Sequence, residues 1–180
     1  MVKVIIVGSQ KDKWNIGGKL KAIRAIARIL DKYNPKQVLV GSGECPNGGI
    51  DKWVERLALG KGFTFIGYPP EVNAWNDKWI PYQDFIKENP HKVTTLHNWK
   101  CIKCGMKRSG SFERNQLICP KCGIPMYIRA RGYKYRNTLM AKEGEELYSI
   151  DPKGVWSGGR WTIRHAKKLG KIVHQIEIDQ

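Results

Sequence analysis

An α/β fold, with one parallel sheet of about five strands flanked by helices and interrupted by a zinc-ribbon insert, is predicted by three observations in the sequence. Apolar runs of strand length alternate with segments of helical period. Turns rich in glycine follow several of the strand-like runs, and residues 92–131 break the rhythm and carry two pairs of cysteines.

The elements follow in order. Val2 to Val7 is a continuous apolar run closed by Gly8-Ser9-Gln10, the pattern of a buried strand. Gly18 to Tyr33 places Leu20, Ile23, Ile26, Ala27 and Leu30 on one helical face, with Lys19, Lys21, Arg24 and Arg28 largely opposite. Asn34-Pro35 ends that helix, and Gln37 to Val40 is a second strand. The turn from Gly41 to Asp51 then leads into a helix with Ile50, Trp53, Val54, Leu57 and Ala58 on one face. A glycine-rich turn between strand and helix leaves backbone N–H groups unshielded at the positive end of a helix dipole, which suits a phosphate. Gly60-Lys61-Gly62 stops the helix, and Phe63 to Tyr68 is the third strand. Alternation of this kind, with right-handed crossovers, gives a parallel sheet.

Pro69-Pro70 breaks the pattern, and Glu71 to Asn89 reads as a polar-aromatic loop with Trp75, Trp79, Tyr82 and Phe85. Its rings either pack the loop onto the body or stack on a base. The rhythm returns with a short helix from Gly132 to Met140, a strand from Glu146 to Ile150 and the turn Asp151-Pro152-Lys153-Gly154. Ser157-Gly158-Gly159-Arg160 opens a last helix with Ile163, Ala166 and Leu169 inward, and Lys171 to Ile178 is the final strand. The expected organisation is therefore a main domain of residues 1–91 and 132–180 with an insert at 92–131.

A chain of 180 residues supports one full core with a small satellite. Its 41% apolar content and seven tryptophans exclude a disordered chain, while 32 basic against 16 acidic residues give a formal charge of +16. From Lys92 to Arg136 eleven Lys and Arg oppose Glu113 alone, so the charge is concentrated there. A patch of this kind suits nucleic acid through counterion release, although an acidic protein, an anionic membrane surface or plain solvent would also satisfy it. The run Met1 to Val7 is too short for a signal peptide or a membrane span, and no other stretch approaches that length. The expectation is a cytoplasmic protein with no membrane partner and with reduced cysteines.

Cys101-x2-Cys104 and Cys119-x2-Cys122 are separated by fourteen residues, and each pair is followed by a glycine, Gly105 and Gly123. Two such knuckles place four thiolates around one Zn²⁺, a spacing that resembles a zinc ribbon; a redox pair or an iron site would use the same sulfurs. Four protein ligands close the site, so the zinc is expected to be structural and to stand in for a core the insert lacks. Lys100, Lys103, Lys107, Arg108, Arg114 and Lys121 surround the knuckles, with Trp99, Phe112 and Tyr127 interleaved. Cations beside rings suit single-stranded DNA or RNA, and the competing uses are dimerisation or covering of a ligand site. The odd cysteine, Cys45, would act as a nucleophile only with a base beside it, and no histidine is near it in sequence.

Four pieces now stand in order: Val7-Gly8-Ser9; Gly41-Ser42-Gly43 with Gly48-Gly49-Ile50-Asp51; Tyr135-Arg136-Asn137-Thr138-Leu139-Met140; and Ser157-Gly158-Gly159-Arg160-Trp161-Thr162. Together they resemble the SLOG superfamily of Rossmann-like domains, which takes in the Lonely Guy phosphoribohydrolases and DNA-processing protein A. The chain is most similar to a small SLOG group of unknown function. The resemblance implies a nucleotide or nucleotide derivative bound across the carboxyl ends of the strands, and it allows a homo-oligomer. Gly8, Ser9, Gly41, Ser42, Gly43, Gly48, Ser157, Gly158 and Gly159 would line the phosphate, with Arg136 and Asn137 beside it. Asp51 would organise the turn or touch ligand, and Thr162 would add a hydroxyl or cap the last helix.

Lonely Guy enzymes cleave the N-glycosidic bond of a nucleoside monophosphate with an arginine, which Arg136 matches, and a glutamate that closes the second glycine motif. Here Trp161 stands at that motif's third glycine and His165 at the glutamate. An oxocarbenium-like transition state is stabilised by a carboxylate and opposed by a protonated imidazole, so the hydrolase reading is weakened.

Overall fold

A computed structural model describes residues 1–89, 97–110 and 117–180. In chain order the elements are β1 (Val2–Gly8), α1 (Ile16–Leu30), β2 (Val38–Gly43), α2 (Ile50–Gly60), β3 (Thr64–Tyr68), β4 (Lys78–Pro81) and α3 (Tyr82–Glu88). Then come β5 (His97–Lys100), β6 (Lys107–Gly110), β7 (Tyr127–Ala130), α4 (Tyr133–Glu143), β8 (Glu146–Pro152), α5 (Gly158–Lys168) and β9 (Ile172–Ile178). They form two compact units, Met1–Pro70 with Arg136–Gln180, and Glu71–Tyr135.

The first unit is a five-stranded sheet in the order β3-β2-β1-β8-β9, every neighbouring pair parallel. Central strand β1 is apolar on both faces because both are covered. Val4 and Ile6 pack with Ala22, Ile26, Ile29 and Leu30 of α1 and Ile50, Val54 and Ala58 of α2. Ile5 and Val7 point the other way, against Met140 and Ala141 of α4 and Ile163 and Ala166 of α5. The chain runs outward from β1 to β2 and β3, then returns to β8 on the other flank of β1. Helices leave β1 and β8 on opposite faces, the switch point at which ligands of open parallel sheets bind.

Two helical faces differ from the sequence expectation. Leu20 is 52% exposed, and α1 meets the sheet through Gly18, Ala22, Ile26 and Leu30, a series of four-residue steps whose small members let the helix lie close. Leu169 is 43% exposed because it caps α5, just before the turn at Gly170 (φ +74°).

The second unit is a four-stranded antiparallel sheet in the order β4-β7-β5-β6. It takes in the segment from Glu71 to Asn89, which holds a strand and a helix where a loop was expected. Strand β4 covers only four residues, Lys78–Pro81, too few for an alternation to be visible in the sequence. Tyr82 and Phe85 of α3 pack with Trp99, Leu117, Met126 and Ile128, so the cysteine-bearing segment shares an apolar core with the chain before it. Glu71 is buried there: its carboxylate accepts the Arg131 N–H at 2.8 Å and lies 3.2 Å from His97 Nε2. Burial would raise the Glu71 carboxyl, but His97 and the Arg131 N–H outweigh it, and the group is held below its ordinary value.

Candidate functional site

The carboxyl edge of the parallel sheet is built by close backbone approach. A Cβ on Gly8 would lie 2.1 Å from Ile150 O, and one on Gly159 would lie 2.8 Å from Gly8 Cα. Helix α5 therefore begins directly over the end of β1, glycine backbone against glycine backbone beside the Ser149 hydroxyl. Gly49 has φ +96° and would drive a Cβ to 2.5 Å from Ser9 O; the next residue, Ile50, donates its N–H to that same oxygen at 3.2 Å. The β1, β2 and β8 loops thus meet through glycine backbone.

Two buried aspartates organise this edge. Asp151, fully buried, accepts from Ser9 Oγ at 2.7 Å and from Ser149 Oγ, with Arg160 Nε 3.9 Å away. Arg160 also donates to Pro152 O at 3.3 Å and pairs with Glu177, but its Nε is buried without a hydrogen-bond partner. Asp51 lies 3.0 Å from Ser42 Oγ, whose hydroxyl is shared with Ile6 O at 2.5 Å, and 3.8 Å from Arg136 NH1. Burial pushes the Asp51 carboxyl up to about 6, against the pull of Arg136, Ser42 and the Cys45 N–H. Gly43 makes room for this pair, since a Cβ there would meet Arg136 Cζ at 2.6 Å and Asp51 Oδ2 at 2.7 Å.

Arg136 and Asn137 open onto the same edge from α4. Arg136 Nε donates to Asn137 Oδ1 at 3.1 Å, and Asn137 Nδ2 donates to Gly158 O at 3.2 Å. Thr162, fully buried, also donates to Gly158 O, at 2.8 Å. Ser157 is the N-cap of α5, its Oγ accepting the Arg160 N–H at 3.1 Å. The hydroxyls of Ser9, Ser42 and Thr162 are thus engaged within the protein, and the Gly158 and Gly159 N–H groups form the first turn of α5. Gly48 takes φ +72° in a tight turn, its N–H on Cys45 O at 3.0 Å. Gly41 is set back from the edge, pairing with Ile5 and Ile66 inside the sheet.

Asp151 and Arg160 were not singled out by sequence reasoning. Asp151 reads there as part of the turn Asp151-Pro152-Lys153-Gly154, and nothing local indicates that Ser9 bonds to it. Cys45 is buried and burial raises its thiol, which disfavours the thiolate a nucleophile requires. His165 lies on α5 stacked on Trp161, ring centroids 5.1 Å apart, beside Trp156, Arg164 and Lys168 in an open groove of about 680 Å³.

In the second unit the sulfurs of Cys101, Cys104, Cys119 and Cys122 all lie within 4.8 Å of one another, Cys104 and Cys119 at 3.7 Å. A tetrahedral metal–thiolate site with bonds of about 2.3 Å needs sulfurs about 3.8 Å apart, so the donor set can hold one metal ion. The knuckles are near copies of each other. Gly105 (φ +71°) donates to Cys101 O at 2.9 Å and Gly123 (φ +67°) to Cys119 O at 2.8 Å, while Cys101 and Cys119 donate to Met106 O and Ile124 O. Within the cluster the N–H groups of Cys104 and Lys103 draw the Cys101 thiol down, while the neighbouring sulfurs push the Cys122 thiol up. Lys100 lies on β5 and Lys107 and Arg108 on β6, with Lys103 and Lys121 inside the knuckles; Arg114 lies outside the described residues. Among the described residues no helix is long and apolar enough to cross a membrane.

No protein-family model matches the chain, and no curated protein sequence does. Among solved structures, DNA processing protein A (DprA) from Streptococcus pneumoniae is similar over 97% of this chain and 50% of its own, at 15% identity and a TM-score of 0.50. The chain spans half the length of that protein, and the likeness is one of fold. A sirtuin structure (8% identity, 98% of this chain and 82% of its own, TM-score 0.34) is more distant. So is a Sir2 homologue in complex with ADP-ribose (10%, 97% and 79%, TM-score 0.33).

Proposed function

We propose that this chain is a SLOG-type nucleotide-binding protein in which a phosphate sits at the carboxyl ends of β1, β2 and β8. The observation that carries the reading is the seat of α5 on β1, where a Cβ on Gly159 would lie 2.8 Å from Gly8 Cα. That approach leaves the Gly158 and Gly159 N–H groups, ahead of the Ser157-capped Arg160 N–H, as the donors for a phosphate at the start of α5. Arg136 supplies a fixed cation through its guanidinium. Ser9, Ser42, Asp51, Asn137, Ser157 and Thr162 hold the loops in this shape, since each is bonded within the protein.

The second unit holds one structural Zn²⁺ on Cys101, Cys104, Cys119 and Cys122 and gives the protein a basic surface for single-stranded nucleic acid. The metal's role is to fix the two knuckles; with four thiolates around it no position is left for a substrate.

A phosphoribohydrolase is the enzyme alternative, centred on Arg136. It lacks support at the position of the family glutamate, where His165 is stacked on Trp161. Both readings are tested by following thermal stability and free-base release with a panel of nucleoside mono-, di- and triphosphates. The binding reading expects a rise in melting temperature without base release, reduced in Arg136→Ala. No stabilisation by any member overturns it, and base release lost in Arg136→Ala favours the enzyme.

A further inference from the structure

The second unit's sheet has one face built over its core and another that the described residues leave open. Along β5, His97 and Trp99 are buried while Asn98 is exposed; along β7, Ile128 and Ala130 are buried while Arg129 is exposed. The ladder sets these open positions side by side. Trp79 of β4 pairs with Arg129, the same register places Arg129 opposite Asn98, and Asn98 pairs with Ser109 of β6. The next open row runs from Tyr127 to Lys100 to Lys107. Two aromatic rings and three cations thus share the open face, in rows spaced by the sheet itself.

Beside the first row is a recess of about 300 Å³, bounded by Asp77, Asn98, Ser109, Arg129, Arg131 and Tyr135. Its polar groups are positioned: Arg129 Nε lies 3.2 Å from Asp77 Oδ2, Ser109 Oγ donates to Asn98 Oδ1 at 2.8 Å, and Arg131 lies over the Tyr135 ring at 4.5 Å. Trp79 is 40% exposed, and the Arg129 side chain is 51% exposed despite its ion pair.

We infer that this open face is a docking platform for single-stranded nucleic acid, with Trp79 and Tyr127 stacking on bases, Lys100, Lys107 and Arg129 following the phosphates, and the recess taking one nucleotide. Charge and ring placement select the occupant. Among the described residues Asp77 is the one acidic group lining the recess, and it is already paired with Arg129, so an anion is favoured. Rings lying among cations on a flat sheet match unstacked bases, whereas a duplex would offer phosphates and no ring faces. The inference rests on the nucleic-acid part of the proposed function and moves the contact from the knuckles, where Lys103 and Lys121 lie, to the sheet.

The test uses the full metal-loaded chain with fluorescein-labelled oligothymidine, oligouridine of the same length and a short duplex. Trp79→Ala with Arg129→Gln is expected to weaken single-strand binding about ten-fold or more, and Trp79→Phe to retain most of it. Loss of the Arg129 phosphate contact should also lower the slope of log affinity against log salt by about 0.7. Metal content and circular dichroism confirm that the variants fold, which their exposed positions favour. Unchanged affinity in the double variant, equal loss on Lys103→Ala with Lys121→Ala, or preference for the duplex overturns the platform. The DNA and RNA arms identify which strand it takes. Nucleotide-induced stabilisation, sensitive to Arg136→Ala, is followed in the same variants and reports on the glycine edge separately, so failure of one site is distinguishable from failure of the other.

Discussion

The two units are stabilised by different means. Five parallel strands in the first bury apolar clusters on both faces, and glycines with two buried aspartates at the edge bring helices and loops together. Four short strands in the second bury one cluster that includes Cys101 and Cys119 themselves, so its sulfurs are part of its core. A fold of the first kind should tolerate loss of any ligand, while one of the second kind should depend on its metal.

The largest expected effect is therefore metal removal. Chelation, or Cys101→Ser, should forfeit a binding free energy that reaches about 10 kcal/mol in small thiolate-ligated domains. Hydrogen exchange would show Trp99 and Ile128 amides losing protection while those of Val4 to Val7 keep theirs. Collapse of both units together would erase the contrast.

Next is Gly8→Ala, aimed at the first unit alone. With its Cβ placed 2.1 Å from Ile150 O, the backbone must shift, at a cost of about 3 kcal/mol in chemical denaturation. Metal affinity of the second unit should be unchanged.

Much of this contrast was legible in the sequence. Apolar runs of strand length located the strands of the first unit, because a parallel sheet buries whole runs, helical periods located α1, α2 and α5, and the spacing of the four cysteines located the thiol cluster. What escaped was non-local or short. Lys78–Pro81 and Tyr82–Glu88 are too brief to show a period, and Asp151 becomes central only because the sheet brings Ser9 to it across 142 positions. The pairing of Glu71 with His97, 26 residues apart, was invisible for the same reason.

A smaller effect concerns pH. The Asp51 carboxyl is raised from about 4 when unfolded to about 6 when folded, so the native state binds more protons between those values. Its contribution is fully present below pH ~4 and is lost as pH rises through ~6, on the order of 2 to 3 kcal/mol. Asp51→Asn should flatten that fall when its stability profile is compared with the wild type. A difference profile independent of pH would contradict the buried, destabilised carboxylate.

Smallest are two backbone substitutions, one per unit. Ser157→Ala removes the cap of α5 and should cost about 1 kcal/mol, and Gly123→Ala forces a side chain to φ +67° at a similar cost. Urea denaturation should register the first in the metal-free and metal-loaded protein alike, and the second only when metal is bound.

The central claim, that the glycine edge of the first unit holds a phosphate, is tested most directly by following backbone amide resonances while a nucleoside monophosphate is titrated into the metal-loaded protein. The largest shifts are expected at Gly8, Gly43, Gly158 and Gly159, diminished in Arg136→Ala. Resonances that stay fixed at these four glycines, with shifts elsewhere or none at all, would contradict it.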